Sequence, residues 1–454
     1  MKKNSRRVLA AILAASVLSM TGCGDAKTQG DAVSSVKSEA SVSSETSEEQ
    51  NTIIQSETPI ELTYWYSWGG AVQECNENLV QQFNETVGQE KGIHVTAEYQ
   101  GTYNETTSKL QAAAVAGTMP DASVVGTTSM GIFLKNNMLV SLNSYVERDI
   151  DATDFFQGLL KNTVKDDVWY GVPYLCSTPI LYLNTTLLEK AGLDPSGPKT
   201  WDELAEYCKT VKEKTGAYGL STFSYEWFME AFLLEHGTTM LNEEETATNF
   251  DCAETREIMN YFKDLQDKGY LHWATSGDEG SSQVTADFTN QNCAMWFSST
   301  ASLTTTLKVA KENNFEVNTC FIPADKSYGV PIGGSSIVMF ESVPEEKREA
   351  VWEFMKFMTD TRQTAYASQT TGYVPLRASA EQEESLQELY KAYPQFKVAV
   401  DQLRDYSTGR SLNPNYVECT TVIMNAMNDI MLNNGDMDSV LSAASEKINK
   451  LLNQ

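Results

Sequence analysis

The sequence is poor in the groups most enzyme chemistry relies on. It has only three histidines in 454 residues, His94, His236 and His272, and they are scattered. No H-E-x-x-H, G-x-S-x-G or Walker-type loop occurs, and Gly333-Gly334-Ser335-Ser336 lacks the glycine that a nucleophile elbow needs after its serine. No metal or cofactor is expected on these grounds. Basic residues are also short, with 34 Lys and Arg against 61 Asp and Glu and a net charge of −27. A surface of that sign repels phosphates, which argues against a nucleic-acid partner. Cysteine is sparse and widely spaced: eight in all, with no C-x-x-C. Setting Cys23 aside leaves an odd seven, Cys75, Cys176, Cys208, Cys252, Cys293, Cys320 and Cys419, which suits buried free thiols better than a disulfide framework or a zinc site. The apolar run from Val8 to Met20 falls short of the roughly 20 residues a membrane-spanning helix needs.

That run has a different meaning. It follows a basic segment carrying Lys2, Lys3, Arg6 and Arg7, the pattern of an export signal. Met20-Thr21-Gly22-Cys23 after it resembles the lipobox of bacterial lipoproteins, with Met20 in place of the usual leucine. Residues 1–22 thus read as a lipoprotein signal peptide and Cys23 as the lipidated N-terminus, with the mature charge becoming −31. Residues 23–58 are rich in Ser, Glu and Thr and too poor in bulky apolar groups to offset the entropy of ordering, so they read as a flexible tether.

From Pro59 the composition turns globular, and the hydrophobic fraction of the whole chain, 41%, is ordinary for a soluble fold. Ile60 to Tyr66 alternates as a strand and ends at Gly69-Gly70. Helical spacing follows through Val87, then a strand at Ile93 to Tyr99, a helix from Asn104 to Ala116, and a short strand ending at Gly126. Strand, helix, strand, helix, strand implies a parallel sheet with covering helices. Further on, Thr200-Trp201-Asp202-Glu203 is a capping box with Gly216 as the stop, and an amphipathic helix spans Thr255 to Lys268. Three extended runs separate such blocks: Trp169 to Asn184, Asn292 to Ser299, and Pro331 to Phe340. Three is the number needed if the chain passes between two lobes three times. The expected lobes are 59–176 with 299–338, and 177–298 with 339–454.

Several motifs carry a family resemblance. In order they are Gly101-Thr102-Tyr103, Met119-Pro120-Asp121, Ser177-Thr178-Pro179-Ile180-Leu181-Tyr182-Leu183-Asn184, and Ala191-Gly192-Leu193-Asp194-Pro195 with Lys199-Thr200-Trp201. Asn292-Cys293-Ala294-Met295, Ile332-Gly333-Gly334 and Thr370-Thr371-Gly372-Tyr373-Val374-Pro375 complete the set. From about Glu61 to the C-terminus the chain resembles extracellular solute-binding proteins of family 1, and within them the glycerol-3-phosphate-binding subgroup. The resemblance implies an α/β, two-lobe periplasmic-binding-protein fold of type II with three interlobe crossings. It implies a monomer that delivers solute to the transmembrane subunits of an ABC importer, held to the outer face of a bacterial membrane by the lipid on Cys23. It implies Tyr103, Ser177, Trp227, Ser299, Gly334 and Tyr373 as cleft residues, with Thr127 where the subgroup carries a ligand-binding glutamate. Val417 stands where the subgroup carries its phosphate-binding arginine, and Arg410 is the nearest candidate to replace it.

Trp65, Trp68, Tyr103, Trp227 and Tyr373 can offer flat faces to sugar C–H groups while Ser177, Ser299 and the amides around Gly334 bond hydroxyls. For Trp65 and Trp68, packing in a core accounts for the residue equally well. Loss of the arginine favours a neutral, hydroxyl-rich ligand, a sugar or short oligosaccharide, over glycerol 3-phosphate or a glycerophosphodiester. The many carboxylates could also supply a glycosidase pair, which keeps a surface glycoside hydrolase open as the alternative of another class.

Overall fold

The computed structural model describes residues 59–454. The expected signal peptide, Cys23 and the expected tether lie outside the described residues. Two five-stranded sheets organise the rest. The first lobe contains β1 (Ile60–Tyr66), α1 (Ala71–Phe83), β2 (Ile93–Tyr99), α2 (Tyr103–Ala116), β3 (Ala122–Gly126), α3 (Met130–Lys135) and β4 (Val172–Ser177). The second contains β5 (Pro179–Asn184), α4 (Trp201–Thr215), β6 (Tyr218–Phe223), α5 (Glu226–Glu235), α6 (Ala253–Asp267), β7 (Leu271–Ala274), β8 (Cys293–Ser299) and β9 (Val317–Cys320). The chain then returns as β10 (Gly333–Met339), α7 (Glu345–Met358) and α8 (Thr361–Thr371), and ends in α9 (Gln395–Tyr406), α10 (Tyr416–Met431) and α11 (Met437–Leu452).

The first sheet runs β2-β1-β3-β10-β4. Strand β1 is parallel to β2 and to β3, as alternating strand and helix require, while β10 is antiparallel to β3 and β4. The second runs β9-β5-β8-β6-β7, with β8 antiparallel to β5 and parallel to β6. Strands β4 and β5 are buried at every position, which explains why Val172 to Asn184 reads as a near-continuous apolar run without alternation. Of the seven described cysteines, all unpaired, Cys75, Cys176, Cys208, Cys293 and Cys419 are buried, and Cys252 and Cys320 are half-buried.

Three links join the lobes. Thr178 alone separates β4 from β5, and it is pinned from several sides. Its N–H donates to Thr300 Oγ1 at 3.3 Å, its carbonyl accepts from Thr300 N–H at 3.0 Å, and its hydroxyl accepts from Gln402 Nε2 at 3.0 Å. The other two links depart from the sequence-based boundaries. Strand β8 is not itself a crossing: β9, which follows it, pairs antiparallel with β5, so residues 299–320 stay with the second sheet and the chain crosses only after Cys320. Likewise α7 packs on α1, β1 and β10, so the first lobe extends past residue 339. The final crossing follows Gly372, where Val374 N–H donates to the Cys176 carbonyl at 3.0 Å before α9 packs on β9. The apolar pattern of β9 shows that it is a strand but not which sheet it joins, because pairing partners far away in sequence decide that.

Candidate ligand-binding cleft

Local sequence aims the first lobe's aromatics. Thr102 caps α2 through a full capping box with Glu105, which fixes Tyr103 at the first helical position. Tyr103 lies over Gly126, where an added Cβ would come within 3.0 Å of the Tyr103 Cβ. Its hydroxyl is 3.4 Å from Ser335 Oγ and 3.5 Å from the Tyr373 hydroxyl, the outer edge of hydrogen bonding, so both phenols have capacity left for a better partner. Burial raises the pKa of both, keeping them neutral donors. Trp68, left-handed at φ 69° and 37% exposed, meets the Tyr103 ring edge-on at 5.4 Å.

The second lobe supplies the opposing wall from the start of α5. Trp227 is buried and donates its indole N–H to the Pro331 carbonyl at 3.2 Å. Its ring presses on Gly333, where a Cβ would lie 2.5 Å from the indole and 3.0 Å from Ser177 Oγ. Gly333 and Ser177 face each other in the β10–β4 register, so Ser177, Gly333 and Trp227 form one contact at the crossing strands. Gly334 does different work: at φ 97°, inside the register shift of β10, a Cβ would sit 2.0 Å from the Leu175 carbonyl.

The remaining sequence-derived residues have partners of their own. Trp65 turns to the opposite face of β1 from Tyr64 and Tyr66, and donates to Glu98 on β2 at 2.8 Å. Thr127 is buried, its carbonyl 3.5 Å from Asn162 Nδ2. Ser299 spends its hydroxyl on the Ala301 N–H at 3.1 Å, while its carbonyl accepts from the Tyr182 hydroxyl.

Two features escaped the sequence. Tyr225, half-buried, stacks on Phe223 with centroids 5.3 Å apart and stands 5.9 Å from the Trp227 ring. Burial raises its phenol, as does the neighbouring Glu226 carboxylate. Its position two residues before Trp227 was the available signal. The second feature is a buried charge cluster. Arg410 donates to both oxygens of Glu230, at 2.5 Å and 3.0 Å, and to Glu226 at 3.1 Å, while the Tyr416 hydroxyl donates to Glu230 at 2.6 Å. Burial works against the Arg410 charge, but the two carboxylates outweigh it and raise its pKa. Burial also raises the carboxyl of Glu226, whose Oε2 has no partner among the described residues. The candidate stand-in for a phosphate-binding arginine is thus already engaged by two acids and offers no net positive field.

The second lobe also holds Ser221, His272 and Asp287 together. Hydroxyl and carboxylate both meet the same ring nitrogen, Nδ1, at 3.3 Å and 2.5 Å, and Ser221 itself donates to Asp287 at 2.7 Å. A nucleophilic triad needs the two on opposite nitrogens, so this trio is not arranged as one.

The fold, with two sheets joined by three links and aromatics gathered where the lobes meet, is that of a two-lobe solute-binding protein. Residues 78–398 match the family model described as bacterial extracellular solute-binding protein, and the chain belongs to that family. It is 25% identical over 414 residues to the sn-glycerol-3-phosphate-binding periplasmic protein UgpB of Salmonella paratyphi A, covering 86% of this chain and 92% of the relative. Similar solved structures include the cyclic alpha-maltosyl-1,6-maltose binding protein of Arthrobacter globiformis (TM-score 0.74, 22% identity, 87% of this chain and 99% of that one). Another is UgpB of Mycobacterium tuberculosis in complex with glycerophosphocholine (TM-score 0.75, 22% identity, 87% and 98%). No helix among the described residues is long and apolar enough to cross a membrane.

Proposed function

We propose that this chain is the solute-receiving component of an ABC importer and that it captures a neutral, hydroxyl-rich ligand, a sugar or short oligosaccharide, between its lobes. The observation that carries this reading is the charge balance of the cleft. Aromatic faces and neutral hydroxyl donors meet there, while the buried guanidinium of Arg410 is held by Glu230 and Glu226. A phosphate would arrive beside two carboxyl groups and one arginine and find no net positive charge. A pyranose would find aromatic rings for its C–H faces and the phenols of Tyr103, Tyr225 and Tyr373 for its hydroxyls. Closure follows because bound solute adds contacts to both walls at once. Trp68, Ser177, Ser299 and the backbone at Gly333 and Gly334 complete the proposed contact set; Trp65 and Thr127 act at most as support for it. No bond in the ligand changes: the protein binds and releases. In this reading Cys23 carries a lipid that tethers a monomer to the outer face of the membrane.

The test is titration calorimetry with a panel of mono- and oligosaccharides, sn-glycerol 3-phosphate and glycerophosphocholine, followed by recovery of the ligand. Saturable binding of an intact sugar is expected, weakened at least tenfold, about 1.4 kcal/mol, by Trp227→Ala or Tyr373→Ala, measured at a temperature where each variant is still folded by its melting curve. Binding of either phosphate compound without any sugar response would replace this reading with the glycerophosphate one, which the curated relatives' name favours. Shortened sugar products would make the protein a hydrolase.

A further inference from the structure

The three links between the lobes are fastened to one another, and one buried amide joins two of them. Gln402, on α9 and 1% exposed, lies between the first link and the second. Its Nε2 donates to the Pro179 carbonyl at 2.6 Å and to Thr178 Oγ1 at 3.0 Å, and its Oε1 accepts from the Ile322 N–H at 2.9 Å, just past the end of β9. Turning the amide over would set its oxygen against the Pro179 carbonyl and its NH2 group against the Ile322 N–H, so only one orientation satisfies every partner. The third link is tied in nearby, where Val374 N–H donates to the Cys176 carbonyl at 3.0 Å. Directly before Cys176, Leu175 is a buried leucine at φ 49°, its carbonyl closed against Gly334. Backbone strain of that kind persists only where the surroundings hold it.

We infer that Gln402 is a positioning residue: its amide makes the first and second links act as one plate, and so fixes the orientation of one lobe against the other. The inference rests on the two-lobe fold and not on which solute is bound, and none of the partners of Gln402 belongs to the proposed contact set. An apolar side chain at 402 would leave the Pro179 carbonyl and the Ile322 N–H, both on buried residues, without the partner they now have, and the two links would part at that point. Tyr103 on one lobe and Trp227 on the other would then lose their set separation. A held orientation lowers the ordering cost of binding, so Gln402 acts on affinity through the links. Gln395, at the start of the same helix, provides the contrast: its Nε2 donates at 2.6 Å to the Val317 carbonyl of β9, within the second lobe.

The experiment is single-molecule energy transfer on the solute-free protein, with dyes attached through non-natural residues at exposed Glu90 of the first lobe and exposed Glu213 on α4 of the second. The wild type is expected to give one narrow interlobe distance. Gln402→Met, which keeps the side chain's length and removes all its hydrogen bonds, should broaden that distribution at least twofold. Gln395→Met should leave the width at the wild-type value whatever it does to the melting temperature, which separates positioning from general loss of stability. Thr178→Val removes only the hydroxyl acceptor and should broaden the distribution less; it carries the test if Gln402→Met does not fold. An unchanged width in every variant of Gln402 and Thr178 that folds, or an equal broadening in Gln395→Met, overturns the role given to Gln402 and leaves the sugar reading untouched.

Discussion

At the scale of single residues, two buried acids in α5 behave differently because their partners differ. Glu226 sits against Arg410, whereas Glu235 has only the Trp201 indole at 3.2 Å, and its Oε1 has no partner among the described residues. Burial therefore raises the Glu235 carboxyl well above its ordinary value, with the Trp201 bond opposing only in part. The folded protein holds this proton to a higher pH than the unfolded chain does. Stability is thus complete below the unfolded value of about 4.3 and is lost as pH rises toward the raised folded value, at up to ~1.4 kcal/mol per pH unit. Glu235→Gln keeps the shape and removes the titration. Thermal melts across that range should show the wild type falling progressively below the variant as pH increases; parallel curves would place Glu235 as ordinarily ionised. At this scale the sequence identified Tyr103, Tyr373 and Trp227 as aromatic candidates, but not which of two adjacent glycines meets the indole. Neighbours on a strand point to opposite faces, and only the bulge in β10 sends Gly333 to Trp227 and Gly334 to the Leu175 carbonyl.

At the scale of elements, α2 is the part that aims the site. Its capping box sets where the helix begins, and Tyr103 occupies the first position inside it. Thr102→Ala removes the side-chain acceptor for the Glu105 N–H and should cost about 1 kcal/mol of stability. Because the frayed turn carries Tyr103, sugar affinity should fall several-fold in the same variant, read by calorimetry beside the melt. Thr200→Ala, which removes the equivalent cap on α4, should cost similar stability and leave affinity untouched, since α4 bears none of the proposed contacts. Caps and helix stops of this kind are legible from sequence because they depend on residues three or four positions apart. The assignment of β9 to the second sheet was not, since its partner β5 lies more than a hundred residues earlier.

At the scale of the molecule, the loop before α10 fastens the lobes. Asn162 of the first lobe accepts from the Arg410 N–H at 2.9 Å and donates to its carbonyl at 3.0 Å, while the Arg410 side chain reaches into α5 of the second. One residue thus connects both halves. Arg410→Met leaves Glu226 and Glu230 buried without their counter-charge and should destabilise the protein by about 3–5 kcal/mol. Adding Glu226→Gln and Glu230→Gln to that variant should recover most of the loss in a denaturant melt. If it recovers none, the arginine's packing rather than its charge is what matters.

By itself the sequence determined the local structure and the class of fold: strand and helix periods, caps, glycine stops, the wide cysteine spacing and the motif order from Glu61 onward. These are short-range properties, fixed by backbone geometry and by which face of each element must leave water. Tertiary structure alone decided where each lobe ends, that Trp65 turns away to Glu98, and that Arg410 is engaged by two acids. Each of those outcomes depends on groups far apart in the chain being brought within contact distance, and a linear pattern of residues does not encode that distance.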